Sequence, residues 1–227
     1  MRHTDGTYLL YTILPSVFET TLHYSKSLSG PWTSASVVLN GSNPAPYVMA
    51  NSSIIIAYKT LVPESRSAPE HGGLSNAVAA DWRGPFTTSR RAAGREAHQS
   101  IEDIDQHFDR WYILLHIYDQ AKGSGWCPGA IAYSGTISLH GPWHLDPRPA
   151  WPFALTTANA TVNLAHRERP KLLSAGGRRW LFNAATLQPV ESEAASGVYG
   201  KTFTAIAEVL NLTLMTFEAS YSFRSES

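Results

Sequence analysis

The sequence predicts an all-β protein built from four-stranded units of the propeller kind, and three observations carry that expectation. Gly-Pro-aromatic recurs in "SGPWT" (29–33), "RGPFT" (83–87) and "HGPWH" (140–144), with Gly30, Gly84 and Gly141 spaced 54 and 57 residues apart. Upstream of each copy lies a short run rich in Ile, Leu and Tyr, bounded by Gly, Asp, Asn or Ser, which is the pattern of a strand. No helical pattern of ~10–15 residues separates these runs, so they do not read as βαβ units. About four strands per ~55 residues is the unit of a propeller blade. A jelly roll or two-sheet sandwich is the competing architecture, but it gives no reason for the regular spacing.

Taken in order, the first unit holds "GTYLLYTI" (6–13) and "TTLHYSKS" (20–27) before its Gly-Pro turn. The second holds "NPAPYVM" (43–49), "SIIIAYK" (53–59) and "LSNAVAAD" (74–81). The stretch "SRRAAGREAHQS" (89–100) reads as a polar loop between units. The third unit holds "EDIDQHF" (102–108), "RWYILLHIY" (110–118) and "GAIAYSGT" (129–136). The fourth holds "RERPKLL" (167–173) and "RRWLFNA" (178–184), with no Gly-Pro-aromatic after it. Gly-Pro makes the turn, and the ring that follows is suited to capping a hydrophobic layer. The polar, Pro-containing segment that opens the later units has no counterpart in the first, so the chain reads as beginning inside a blade and about four blades are visible. Residues 1–199 are expected to form the propeller domain. Residues 200–227 form a tail, in which "FTAIAEVLNLTLMTF" (203–217) fits a ring-closing strand or a helix equally poorly.

Composition narrows the function. Charged residues are only 16% and aromatics 11%, which suits a well-buried β-rich core in a chain this long. The net charge is zero and no dense Lys/Arg patch occurs, which argues against nucleic acid and anionic membrane as partners. The single cysteine, Cys127, excludes an internal disulfide and a Cys-type zinc site. His140 and His144 flank a Gly-Pro turn and read as exposed imidazoles, so neither a metal nor a cofactor is expected. Four Asn-x-Ser/Thr sequons, at Asn40, Asn51, Asn159 and Asn211, point to a secreted or extracellular protein. Against this, "MRHTDGTYLLYT" is not a signal peptide. No segment has the ~20 apolar residues of a membrane-spanning helix. Oligomeric state is left open.

Two charged clusters stand out. Glu102 and Asp103 are adjacent acids at a strand start: each disfavours ionisation of the other, which is how a carboxyl is kept protonated as an acid catalyst. The plain alternative is two solvated acids at a loop–strand joint. In Arg167-Glu168-Arg169-Pro170, period-two alternation sets both arginines on one side and Glu168 on the other, with Pro170 at a strand start. The arginines are suited to pairing carboxylates or to forking onto sugar hydroxyls. A structural ion-pair network is equally consistent with them. Trp126, in the loop "GSGWCPG", is the better placed ring for stacking on a sugar, whereas Trp82, Trp111 and Trp143 read mainly as packing.

At "DGTYLLYT", "SLSGPW", "NPAPYV", "DWRGPF", "IEDIDQHFDRWYILLH", "AYSGTISLHGPW" and "RERPKLL" the chain resembles the five-bladed β-propeller glycoside hydrolases of the family 43 type, within the arabinanase–levansucrase–invertase superfamily. The pieces run from residue 5 to about residue 183, and their order and spacing are what carry the likeness. The resemblance implies five blades around a funnel and an oligo- or polysaccharide substrate containing arabinose, xylose or galactose. It also implies an inverting mechanism with a general acid, a general base and a third carboxylate that tunes the acid. Glu102, with Asp103 beside it, matches the acid. Asn43 stands where the tuning Asp is usual, Ile104 replaces the usual Pro, and the blade that bears the base has no counterpart. Asn43, Arg167, Glu168, Arg169 and Trp126 are the candidate substrate-binding residues. The expectation is a glycoside hydrolase-like protein that is weak or inactive as it stands. The alternatives are a non-catalytic propeller that binds glycans or partners, and a gene fragment.

Overall fold

The computed structural model describes residues 1–14, 19–60, 74–93, 98–107, 110–118, 129–134, 143–146, 150–151, 154–156, 160–175, 178–187, 202–211 and 216–218. All regular structure among them is β-strand, in four sheets whose strands pair in chain order. The first sheet is β1 (Tyr8–Leu14), β2 (Glu19–Ser25) and β3 (Thr33–Asn40). The second is β4 (Ser42–Val48), β5 (Ile54–Lys59), β6 (Leu74–Ala79) and β7 (Thr87–Ala93). The third is β8 (His98–His107), β9 (Arg110–Tyr118), β10 (Gly129–Ser134) and β11 (Trp143–Leu145). The fourth is β12 (Ala154–Thr156), β13 (Thr161–Ala175), β14 (Arg178–Leu187), β15 (Thr202–Asn211) and β16 (Thr216–Glu218). The chain divides into two compact units, residues 1–118 with 131–146, and residues 119–130 with 147–227.

The recurring Gly-Pro is one turn used twice. It links β2 to β3 and β6 to β7. Gly30 N–H donates to Ser27 O at 3.1 Å and Gly84 N–H to Asp81 O at 3.0 Å, with φ of 84° and 83° at the two glycines. Those angles lie in the region that L side chains avoid, which is why glycine stands there. A short side chain braces each turn: Asp81 Oδ1 accepts from Arg83 N–H at 3.0 Å, and Ser27 Oγ from Ser29 N–H at 3.3 Å. The β4–β5 hairpin turns through "ANSS", where Asn51 Oδ1 accepts from Ser53 N–H at 3.1 Å and from its hydroxyl at 2.7 Å.

Within the first unit, β4 lies against β1 and β2, and β8 against β4 and β5. The second sheet is thereby covered on both faces, and β5 is buried at Ile54–Tyr58 without alternation, as expected of a strand packed on both sides. Leu9, Leu22, Ile54, Ile56, Tyr58 and Trp82 lie in one apolar cluster, with Phe86 packed against its side. Tyr47 meets Trp111 edge-on, ring centroids 5.3 Å apart. Trp82 and Trp111 are buried, so neither ring is available for stacking on a sugar.

Three expectations are corrected. The stretch 89–100 is not simply a loop: residues 89–93 complete β7 and 98–100 open β8. β7 is the edge of its sheet, and edge strands carry charge in place of an apolar alternation, which hid it. Arg167–Pro170 does not stand at the mouth of a strand but inside the long β13. Arg167 and Arg169 do not share a side, since Arg167 is buried and Arg169 exposed. Of the segment that fits strand or helix equally poorly, residues 203–211 take the strand alternative: they lie in β15, paired with β14 from Thr186↔Thr202 to Trp180↔Glu208, so part of the 200–227 tail belongs to the fourth sheet.

Candidate active site

Residues at three of the sequence-predicted site positions lie on one recurring backbone device. The first long strand of the second, third and fourth sheets each contains a bulge of one extra residue relative to its hairpin partner, and β13 has a second between Leu164 and His166. In β4 the pairing jumps from Ser42↔Lys59 to Ala45↔Ala57, leaving Asn43-Pro44 in the bulge. In β8 it jumps from Ile101↔Leu115 to Asp103↔Leu114, leaving Glu102. In β13 it jumps from Glu168↔Ala184 to Lys171↔Phe182, leaving Arg169-Pro170. Counted back from the hairpin turn, the bulge follows four pairs in the β4 hairpin and five in the β8 and β13 hairpins. Other bulges occur, in β2–β3 and β6–β7 for example, but these three recur four or five pairs from the hairpin turn.

Backbone strain accompanies two of them. Asn43 has φ of 51° and Arg169 φ of 52°, the left-handed region that costs an L residue about 1–2 kcal/mol. Asn tolerates this region, while an Arg there is uncommon. Proline follows both residues; it has no N–H to contribute to a ladder, and a bulge is one of the few places inside a sheet that accepts it. "NP" and "RP" are therefore bulge signals in the sequence, and Pro170 marks a bulge where a strand start was expected.

The fourth sheet anchors its bulge from beneath. Arg167 is 4% exposed, and its Nε–H donates to Asn183 Oδ1 at 3.2 Å across the β13–β14 pair. Trp151, fully buried, donates its indole N–H to the Arg167 carbonyl at 3.2 Å. Arg167 is thus tied into the sheet one residue before Glu168. Asn183, which sequence reading passed over, is its partner, and no pattern in the sequence signals that pairing. The side chains of Glu102, Asp103 and Glu168 and the whole of Trp126 and Cys127 lie outside the described residues. Among the described residues, no three His, Cys, Asp or Glu side chains group as a metal-binding set.

A second polar centre, also missed, joins the first two sheets at Asp5. Its carboxylate accepts from Thr7 N–H at 2.8 Å and from Trp82 Nε1–H at 3.2 Å, and lies 3.1 Å from His3 Nδ1 and 3.7 Å from an Arg83 nitrogen. Hydrogen bonding, from Thr7 foremost and then from Trp82 and His3, holds this carboxyl well below the usual range against an opposing effect of burial. His3 Nε2 contacts Ser52 O at 2.9 Å, which ties the same centre to the β4–β5 turn. The "DG" of the opening segment marks a turn but carries no sign of these partners.

No family model matches the chain, and no curated protein does. Solved structures do. An endo-1,5-α-L-arabinanase from Thermotoga petrophila superposes with a TM-score of 0.67 at 12% identity, over 100% of this chain and 60% of the arabinanase. A xylan β-1,4-xylosidase from Bacillus halodurans gives 0.63 at 15% identity, over 99% and 46%. A GH32 β-fructofuranosidase from Bombyx mori gives 0.62 at 13% identity, over 97% and 47%. The chain spans three-fifths or less of the length of each. Its successive antiparallel sheets of three to five strands, its absence of helix among the described residues and these superpositions together establish its fold as the β-propeller seen in these glycoside hydrolases.

Proposed function

We propose that the chain forms part of a glycosidase directed at arabinose-, xylose- or galactose-containing glycans, with Glu102 as general acid and Asp103 raising its proton affinity. The observation that carries this reading is the bulge that recurs four or five pairs from the hairpin turn in three sheets. A bulge turns a side chain out of the ladder, and such devices concentrate beside active sites. Strained non-glycine backbone concentrates there as well. In the hydrolysis, Glu102 gives its proton to the glycosidic oxygen as the bond to the anomeric carbon breaks. A water molecule, deprotonated by a base that is none of the residues assigned here, adds to that carbon from the opposite face, which inverts configuration. Asn43, Glu168, Arg169 and Trp126 line the sugar sites, and Arg167 supports them.

Glu102→Gln tests the assignment. It is expected to abolish hydrolysis of arabinan and xylan while sparing aryl glycosides whose leaving groups need no proton. Glu168→Gln is expected to weaken binding without that signature. The opposite result would move the acid to β13 and overturn the reading. Turnover of the unmodified chain is expected to be low, because Asn43 is uncharged where the resemblance calls for a carboxylate. That same residue favours a second reading, glycan binding without hydrolysis. Calorimetric binding of arabino- or xylo-oligosaccharides with no turnover of any aryl glycoside would establish the second and exclude the first.

A further inference from the structure

We propose that the turn side of the first two sheets carries a second binding site, for an anionic sugar. A cleft of about 490 Å³ opens there, within the ~300–1,000 Å³ range of small-molecule sites. Its walls include Lys26 and Arg83, the hydroxyls of Ser27 and Thr33 and the rings of Tyr24 and Trp82, with the carboxylates of Asp81 and Asp5 behind Arg83. The two cations are held in place. Lys26 Nζ donates to Thr7 Oγ1 at 2.8 Å and to Asp5 O at 3.4 Å, two of the three N–H bonds of an ammonium. The Arg83 guanidinium lies 4.0 Å over the Trp82 ring, with one nitrogen 2.8 Å from Asp81 Oδ1. Trp82 is fixed in turn by its bond to Asp5 and by Tyr24, ring centroids 4.8 Å apart. Fixing these groups before a ligand arrives lowers the entropic cost of binding.

The chemistry of the walls selects the ligand. Arg83 is already engaged by the carboxylates of Asp81 and Asp5, so Lys26, held only by a carbonyl and a hydroxyl, supplies the cation for a carboxylate or phosphate. The hydroxyls match those of a sugar, and the partly exposed Tyr24 ring gives its C–H face an apolar wall. This cleft is separate from the candidate active site. Asn43 sits near the start of β4, whereas the turn at the far end of that strand, at Ser52, touches His3 and Thr4 beside Asp5. The five residue steps from Asn43 to Val48 span about 17 Å.

Calorimetric titration of the full chain with D-glucuronate, glucose 6-phosphate, inorganic phosphate and glucose tests the proposal. At least one of the two anionic sugars is expected to bind about tenfold or more tightly than both glucose and inorganic phosphate, and more weakly as salt rises. Binding of glucuronate alone identifies a carboxylated ligand, and of glucose 6-phosphate alone a phosphorylated one. Lys26→Gln, with folding checked by circular dichroism, is expected to weaken that binding about tenfold. Thr33→Val, at an exposed position, gives a second reading and is expected to weaken it several-fold. The proposal is overturned if neither anionic sugar binds, if glucose or bare phosphate binds as well as they do, or if both variants bind like the parent.

Discussion

Replacing Asp5 by alanine removes the acceptor on which the opening turn and the Trp82 indole converge. Thr7 is 1% exposed and Trp82 4%, so neither donor meets bulk water once the carboxylate is gone. A buried donor left without its acceptor costs about 1–3 kcal/mol. Two such donors, with part of the loss recovered by water entering beside a partly exposed residue, give about 2–4 kcal/mol. In a chain of this length that lowers the melting temperature by about 5–12 °C. Asp5→Asn keeps one carbonyl acceptor and is expected to cost about half as much. The depressed carboxyl also sets a pH dependence. Its stabilisation is fully present above the ordinary value of 3.8 and is lost as pH falls through the lower folded-state value. The gap between parent and Asp5→Asn is therefore expected to narrow below about pH 4. Calorimetric melts at neutral pH and near pH 3 measure both effects. An Asp5→Ala melt within about 1 °C of the parent, or an unchanged gap in acid, would refute the reasoning.

Other substitutions probe the remaining features. The Tyr11 hydroxyl is buried with no hydrogen-bond partner among the described residues, and burial pushes its pKa up. Tyr11→Phe is therefore expected to stabilise by about 1 kcal/mol, read as a higher urea midpoint. Gly41→Ala would place a methyl group 2.8 Å from Lys59 O and against the Tyr58 ring; a loss of about 1–3 kcal/mol is expected in the same assay. Arg167→Lys keeps the charge but has no Nε–H for Asn183, so it is expected to lose stability nearly as Arg167→Met does, by about 1–3 kcal/mol, and full rescue by Lys would contradict the geometry.

Much of the fold was legible in the chain. "SIIIAYK" and "RWYILLHIY" announced β5 and β9 because a run of Ile, Leu and Tyr between turn residues has few other solutions. The Gly-Pro turns were legible because their glycines need a backbone angle that other residues avoid. β7 and β15 were less so, since an edge strand and a strand of mixed pattern depend on the partner that pairs with them. At the candidate site, Asn43, Glu102 and Arg169 stand out in the sequence as residue types, but their backbone setting does not. Glu102 and the Arg167–Pro170 run read as strand starts, whereas Glu102, Asn43 and Arg169 lie in bulges.

By itself the sequence determined the strand-forming runs, the turns between them and the repeat that makes four similar sheets. These depend on residues close together in the chain, where sterics and hydrophobic period act without knowledge of the rest. Only the tertiary structure decided where the bulges fall, because a bulge is a mismatch between two strands and has no existence in one. Only it could bury Arg167 against Asn183, or gather Asp5 and Lys26 beside Trp82 and Arg83 from opposite ends of some eighty residues. Hydrogen bonds and ion pairs act over a few ångströms, and the fold alone brings such distant residues within that reach.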